Sequence, residues 1–337
     1  MKAFLIKTAL IGFVVALCYG PASAQTKVYR GSVGDSHIQM RLTVTGNDVS
    51  GTYSYDSVGQ DLNLTGRLNN GALELTEMSG KQKTGKFVCK KPLSDPIDSE
   101  CAWSKLGGTR ESMVTLEEQH FAFADGIQVT PKMISNRRTG VSVSYPQITG
   151  NGPLPAGAQA FNRRILALAQ KKIAEFEPVD GKGVFDTNYN ILLGANDLIS
   201  VEMHEYYDGG GAHPNDSFWS LTYDLKGNKE LKFQDLFKAN SDYNSAIAKY
   251  VVADIDQRAD ALEADNARRE NRKPNPRDGS IVFEDQLAEL SGWGVTPGGL
   301  VVYYDFAHVM AVFDKTFVPY SVVKQYLNPN GPIARFQ

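Results

Sequence analysis

In the second half of the 337-residue chain, His204, Glu205, His213 and His308 are side chains with metal-ligating chemistry that could converge. Zinc accepts imidazole nitrogen and carboxylate oxygen at about 2.0–2.2 Å. However, His204 and His213 lack the i, i+4 helical spacing of an H-E-x-x-H site, and His204 falls in an expected strand. No metal and no cofactor is expected. Paired acids are a second chemistry, because a glycosidase needs only two carboxyl groups at a suitable separation. Glu202, Glu205 and Asp208 flank a glycine loop, but strand alternation puts Glu202 with His204 on one face and Glu205 on the other. A sheet therefore presents only a subset of them together. There is no G-x-S-x-G elbow, and Gly209–Gly211 is not followed by the Lys-Ser/Thr of a phosphate-cradling loop. No catalytic residue is assigned. Glycan hydrolysis by the loop carboxylates stays as an alternative to binding without reaction.

Recognition chemistry concentrates in Tyr206, Tyr207, Gly209, Gly210, Gly211, Ala212, His213, Pro214 and Asn215. Three glycines permit positive φ and close approach, and Pro214 then stiffens the chain. A shaped, outward-facing loop is expected, and the candidate binding residues are these nine. His213 has two readings: an anchor for a partner, or an imidazole that hydrogen-bonds the backbone and holds the loop. Both hold if the rigid loop is itself the recognition surface, since fixing it beforehand lowers the ordering cost of binding.

Elements must position this loop. Tyr189–Leu193 and Leu198–Tyr207 read as strands around a Gly194-Ala195-Asn196-Asp197 turn, and the second strand runs into the loop. Beyond it, Phe218, Leu221, Tyr223 and Leu225 form a strand, Lys226-Gly227-Asn228-Lys229 a turn, and Gln234–Phe237 a short helical turn. Phe161, Ile165, Leu168, Ala169, Ile173 and Phe176 recur at helical spacing, ended by Pro178. Tyr243, Ile247, Tyr250, Val251, Ile255 and Leu262 mark a second helix. The charged run from Ala264 to Gly279 reads as its frayed end plus an exposed loop. Ile134–Tyr145 is a strand ended by Pro146, and Leu300–Tyr304 is a buried strand.

Residues 28–122 read differently. Eight short runs alternate or cluster β-formers: 28–31, 37–44, 49–55, 62–68, 72–77, 86–90, 100–103 and 112–117. Asn70-Gly71 between two of them is a hairpin signal. An antiparallel meander forming a small sandwich or open barrel is expected, with Tyr53, Tyr55, Phe87 and Trp103 as core or as the lining of a ligand cup.

The first 24 residues carry Lys2 and Lys7, an apolar run from Ala9 to Leu17 and an Ala22-Ser23-Ala24 cleavage signal, so they read as a secretory leader. The run is shorter than the roughly 20 residues a spanning helix needs, so no membrane span is expected after cleavage. The expected location is periplasmic or secreted. Cys89 and Cys101 remain after cleavage and are expected to form a disulfide, as a close pair in an exported protein does. Formal charge is −3; loss of two lysines with the leader makes the mature chain more acidic. Nucleic acid, which demands a dense basic footprint, is thereby excluded as a partner, whereas a basic protein is favoured. The expected organisation is a leader at 1–24, a β-rich domain at 25–124 and an α+β domain at 125–337, with helices on a mixed or antiparallel sheet.

The Y-x-x-G-G-A-H-P-N stretch, the S-L-x-Y-D-L segment, the G-N-K-E-L turn, the D-L-F ending and a late T-P-x-G-L-V-x-Y segment together resemble the RsiV-like extracytoplasmic domain. That domain is shared by the anti-sigma-V factor and PdaC-like peptidoglycan deacetylases. The resemblance runs over roughly residues 127–328. It implies an α+β binding domain outside the cytoplasm, with a lysozyme-type hydrolase or peptidoglycan as the partner class. With only Met1 ahead of Lys2, neither a sigma-binding segment nor a following deacetylase domain is expected. A structural envelope protein that binds polysaccharide is the remaining alternative.

Overall fold

The computed structural model describes residues 24–91, 100–123, 127–177, 183–211 and 213–334. The leader, apart from Ala24, and Pro178 and Ala212 lie outside the described residues. The eight expected strands are all present as β1 (Gln25–Val33), β2 (Ser36–Thr45), β3 (Asp48–Tyr55), β4 (Leu62–Asn69), β5 (Ala72–Ser79), β6 (Gln82–Cys89), β7 (Cys101–Lys105) and β8 (Glu111–Gln119). Each pairs antiparallel with its sequence neighbour, and β1 pairs back onto β8, so the meander closes into a complete barrel. Closure leaves no sticky edge. Asn70 and Gly71 both take positive φ, 51° and 87°, which is the tight two-residue turn expected between β4 and β5.

Alternation puts Ile38, Met40, Leu42, Tyr53, Leu64, Leu73, Leu75, Phe87 and Leu116 inside the barrel, each no more than 2% exposed. Tyr53 and Phe87 are core and meet edge to face at 5.1 Å. Glu77 is also buried and accepts hydrogen bonds from the Tyr53 hydroxyl, the Thr84 hydroxyl and the Trp103 indole N–H. Its lone pairs are thereby satisfied, which buried acids require. Cys89 and Cys101 face each other in register on β6 and β7 and are disulfide-bonded, as expected.

The second layer is a mixed sheet of β10 (Ile127–Asn136), β11 (Val141–Gly150), β12 (Val184–Ala195), β13 (Leu198–Asp208), β14 (Asn215–Asp224) and β15 (Lys229–Glu230), in that order. The short β9 (Phe121–Ala122) adds beside β12. The turn between β12 and β13 holds Asn196 and Asp197 at positive φ. Pro146 does not end its strand; β11 continues to Gly150, with Pro146 opposite Pro131 in the ladder. β11 meets β12 only over Val141–Val143, so the missing N–H of Pro146 deprives no neighbour on its other side.

Helix α1 (Ala156–Glu175) buries Phe161, Ile165 and Ala169 against this sheet, one residue per turn. The Asn162 carboxamide fixes its height by accepting from the Ile148 N–H and donating to the Ile148 carbonyl, at 2.8 and 2.7 Å. Close approach at its first turn needs Gly157, where a Cβ would fall 1.8 Å from the Leu225 carbonyl oxygen.

A third, three-stranded sheet, β16 (Gly292–Val295), β17 (Gly299–Tyr303) and β18 (Lys315–Pro319), carries α2 (Tyr243–Arg269) and the short α3 (Tyr320–Val323). Ile247, Val251 and Ile255 of α2 bury in its core with Val295, Leu300, Val302 and Val318. The helix runs into the charged run as far as Arg269, and the stretch beyond it is an exposed loop, as expected. In that loop, Arg272 pairs with Glu263, and Arg277 pairs with Asp256 and Asp260. The whole is an α+β protein dominated by strands. Among the described residues no helix is long and apolar enough to cross a membrane, which says nothing of strands.

Candidate functional site

Strands β13 and β14 form the hairpin whose tip is the glycine loop. Asp208 Oδ1 accepts from the Gly210 N–H at 2.9 Å, and Gly210 takes φ +82°, so the loop turns on that residue. Gly209 is buried, and a Cβ there would lie 2.4 Å from the Tyr207 hydroxyl. Gly210, Gly211, His213, Pro214 and Asn215 are exposed.

The His213 Nδ1 lies 3.0 Å from the Pro214 carbonyl oxygen. A carbonyl can only accept, so Nδ1 carries the proton in this bond, and the imidazole braces the loop backbone. Its ring also packs on His308 at 4.4 Å between centroids. His308 opens a 3-10 turn (His308–Phe313) in which Val309 and Val312 are 87% and 64% exposed while Phe313 anchors the turn in the core. The loop and this turn thus form one exposed ridge, with Asp208 and Asp216 at the strand ends that carry the loop and Asp305 three residues ahead of the turn.

The two tyrosines do not join in one patch. Tyr206 and Tyr207 are consecutive strand residues, so they point to opposite faces. Tyr207 lies on the helix side, with its ring edge-on to Phe176 at 5.6 Å and its hydroxyl donating to the Glu177 carbonyl. The acids divide in the same way. Glu205 faces α1 and meets Lys172 at 3.1 Å, whereas Glu202 is on the opposite face with His204. His204 pairs with Asp216 at 2.9 Å. Among the described residues no three His, Cys, Asp or Glu side chains gather as a metal site.

That opposite face is polar and forms the seam between the three sheets. From β12 it offers Asp186 to His37 at 2.5 Å, Asn188 to Arg30 at 2.5 Å and Asn190 to Gln119 at 3.2 Å, all three partners being barrel residues. Arg30 and Asp56 form a fully buried bidentate pair at 2.8 Å, and the guanidinium lies over the Tyr189 ring. Burial opposes the Asp56 charge, but the Arg30 charge and hydrogen bonds, with Ser144 and His37, hold its carboxyl below the usual range.

Where the seam opens, Glu117 of the barrel and Glu202 share one amide. Asn190 Nδ2 donates to Glu117 Oε2 at 2.7 Å and to Glu202 Oε1 at 3.1 Å. Glu202 also accepts from the Tyr303 hydroxyl and meets Lys315 Nζ at 2.6 Å. Burial pushes the Glu117 carboxyl up, the neighbouring Glu202 adds to this, and Lys315 and Asn190 only partly oppose it. Arg30, Glu117, Asn190, Tyr303 and Lys315 were not singled out by sequence, since they come from five strands in three sheets. The one local sign is the polar alternation Asp186, Asn188, Asn190, which reads equally well as a solvated face.

A family described as "Protein of unknown function (DUF3298)" matches residues 234–313, the segment that runs from the 3-10 turn before α2 (Phe233–Leu236) to the His308 turn. The match is narrower than the 127–328 span of the resemblance read from sequence and lies in the C-terminal third. Two solved structures are similar. One is a DUF3298 family protein from Pseudomonas aeruginosa PAO1, 16% identical, covering 61% of this chain and 96% of that one, with a TM-score of 0.40. The other is a DUF3298 family member from Bacteroides fragilis NCTC 9343, 12% identical, covering 63% and 98%, with a TM-score of 0.37. No curated protein matches the chain. The chain is a barrel joined to a mixed sheet and a smaller third sheet, and its segment 234–313 is similar to the DUF3298 domain.

Proposed function

We propose that this is an exported, periplasmic or secreted binding protein of the cell envelope, and that the ridge made by the glycine loop and the His308 turn receives a basic protein of the lysozyme class. The observation that carries this reading is the pairing of two large exposed valines with a loop braced from both sides. Val309 and Val312 present apolar area that nothing else in the described chain covers, and the His213 ring is held by Pro214 on one side and His308 on the other. A preformed ridge costs little ordering on binding. Asp208, Asp216 and Asp305 give it an acidic margin, and the chain's acidic balance steers a basic partner toward it. The likeness of the Gly209–Asn215 stretch to the RsiV-like domain supplies the partner class, and the leader and the disulfide agree with export.

Calorimetry with a C-type lysozyme tests the reading. Binding should weaken with added salt, because the acidic margin is screened, and the double variant Val309→Asp with Val312→Asp should lose at least about tenfold in affinity without losing thermal stability. Absence of both heat and enzyme inhibition at high micromolar protein would remove lysozyme as the partner.

A further inference from the structure

We infer that the cleft where the three sheets meet is a binding site for a small neutral saccharide, separate from the ridge and independent of what the ridge binds. The cleft has a volume of about 610 Å³, within the range of small-ligand sites. Each wall comes from a different sheet: Glu117 from the barrel, Asn188, Asn190 and Phe218 from the mixed sheet, and Lys315 from the third. A site of this size at the meeting of three layers is where ligands are commonly held.

Charge decides the ligand class. Two carboxyl groups face the cleft, so an anion is disfavoured. A cation is disfavoured as well, because Lys315 already occupies Glu202 at 2.6 Å and its ammonium lines the same cleft as Glu117. What remains is an uncharged ligand whose groups both donate and accept, and hydroxyls do both.

The polar groups are held in place for such a ligand. Asn188 Oδ1 accepts from Arg30 and from the Tyr189 N–H, which leaves its Nδ2 as the donor it presents. The Asn190 carboxamide is fixed at both ends, by Gln119 and by the two acids. The floor is aromatic. Phe218 stacks on Tyr303 at 5.4 Å with 20° between planes and lies 5.1 Å from the His204 ring, so the row of rings cannot swing away. A flat apolar floor beside preoriented amide and carboxyl groups suits a sugar ring, which has apolar C–H faces and a polar rim.

Saturation-transfer NMR and calorimetry on the full chain test this, with N-acetylglucosamine and its β-1,4-linked disaccharide as neutral probes and putrescine and glucuronate as charged ones. The neutral sugars should bind, and both charged probes should bind at least about tenfold more weakly. Glu117→Gln, which keeps the shape of the side chain, and His204→Ala, at the margin of the floor, should each weaken sugar binding by about tenfold without lowering the melting temperature. The Val309→Asp, Val312→Asp variant should bind the sugars as the parent does, so the site and the ridge stand or fall separately. No saturation transfer from either sugar up to about 10 mM, tighter binding of a charged probe, or unchanged affinity in both cleft variants would overturn the assignment.

Discussion

Arg30 shows how one side chain can join two layers. Strand alternation turns it out of the barrel, where a guanidinium would ordinarily meet water, yet both it and Asp56 are buried, at 0% and 1% side-chain exposure. Removing one member of such a pair strands a charge, so Asp56→Asn should cost about 3–5 kcal/mol in urea unfolding. Replacing both, as Arg30→Met with Asp56→Leu, should recover most of that loss. The pH dependence has the matching sign. With its folded pKa below the unfolded value, Asp56 contributes stability that is full above about pH 4 and is lost as pH falls through the folded value. Glu117 acts in the opposite direction. Its folded pKa is raised, so its contribution is present below about pH 4 and lost as pH rises through the folded value. Glu117→Gln should therefore raise the melting temperature at neutral pH and leave it nearly unchanged in acid, as a pair of thermal scans would read. Neither role was legible at the residues themselves. Alternation gives the direction in which Arg30 points, but not that a sheet more than a hundred residues away covers it.

At the scale of elements the reading from sequence went furthest where contacts are local. The eight barrel strands follow from period-two alternation and from hairpin turns such as Asn70-Gly71, which need only neighbouring residues. Closure follows from β1 meeting β8, a pairing of the two ends of the meander that no local pattern announces. The same limit explains α2. Ala264–Gly279 is dense in charge and reads as a frayed helix end plus an exposed loop, and no local pattern shows that Arg277 returns to Asp256 and Asp260, and Arg272 to Glu263. Burial raises the Asp256 carboxyl, and the Ile281 N–H, Ser280 and Arg277 more than reverse this and hold it low. The clamp is partly exposed, so its worth is modest. Arg277→Ala should lower global stability by no more than about 1 kcal/mol, while amide exchange across the last two turns of α2 rises well beyond that of its first turns. Added salt should produce a weaker version of the same local opening.

Considered whole, the described residues form three apolar cores, one in the barrel, one between α1 and the mixed sheet, and one under α2. They are joined along the hydrophilic face of β12–β14, which makes the junction different in kind from the cores it connects. Apolar burial is non-directional, whereas this seam depends on a few oriented bonds, among them Arg30 to Asn188, His37 to Asp186 and Gln119 to Asn190. The candidate sites follow from that arrangement: a polar junction that does not close completely leaves the Glu117–Glu202 cleft, and the hairpin that builds the seam also carries the glycine loop at its tip. The chain has three tryptophans, and one falls in each layer: Trp103 in β7, Trp219 in β14 and Trp293 in β16. Fluorotryptophan labelling therefore gives a separate fluorine NMR reporter for each core without any substitution. In the parent protein at neutral pH the three signals should lose intensity at one urea midpoint, because the intact seam couples the layers. In Asn188→Ala the Arg30 guanidinium loses its bond across the junction, and the Trp103 signal should separate from the other two. Coincident midpoints in that variant would mean that apolar contact, rather than the oriented polar bonds, holds the barrel to the sheet.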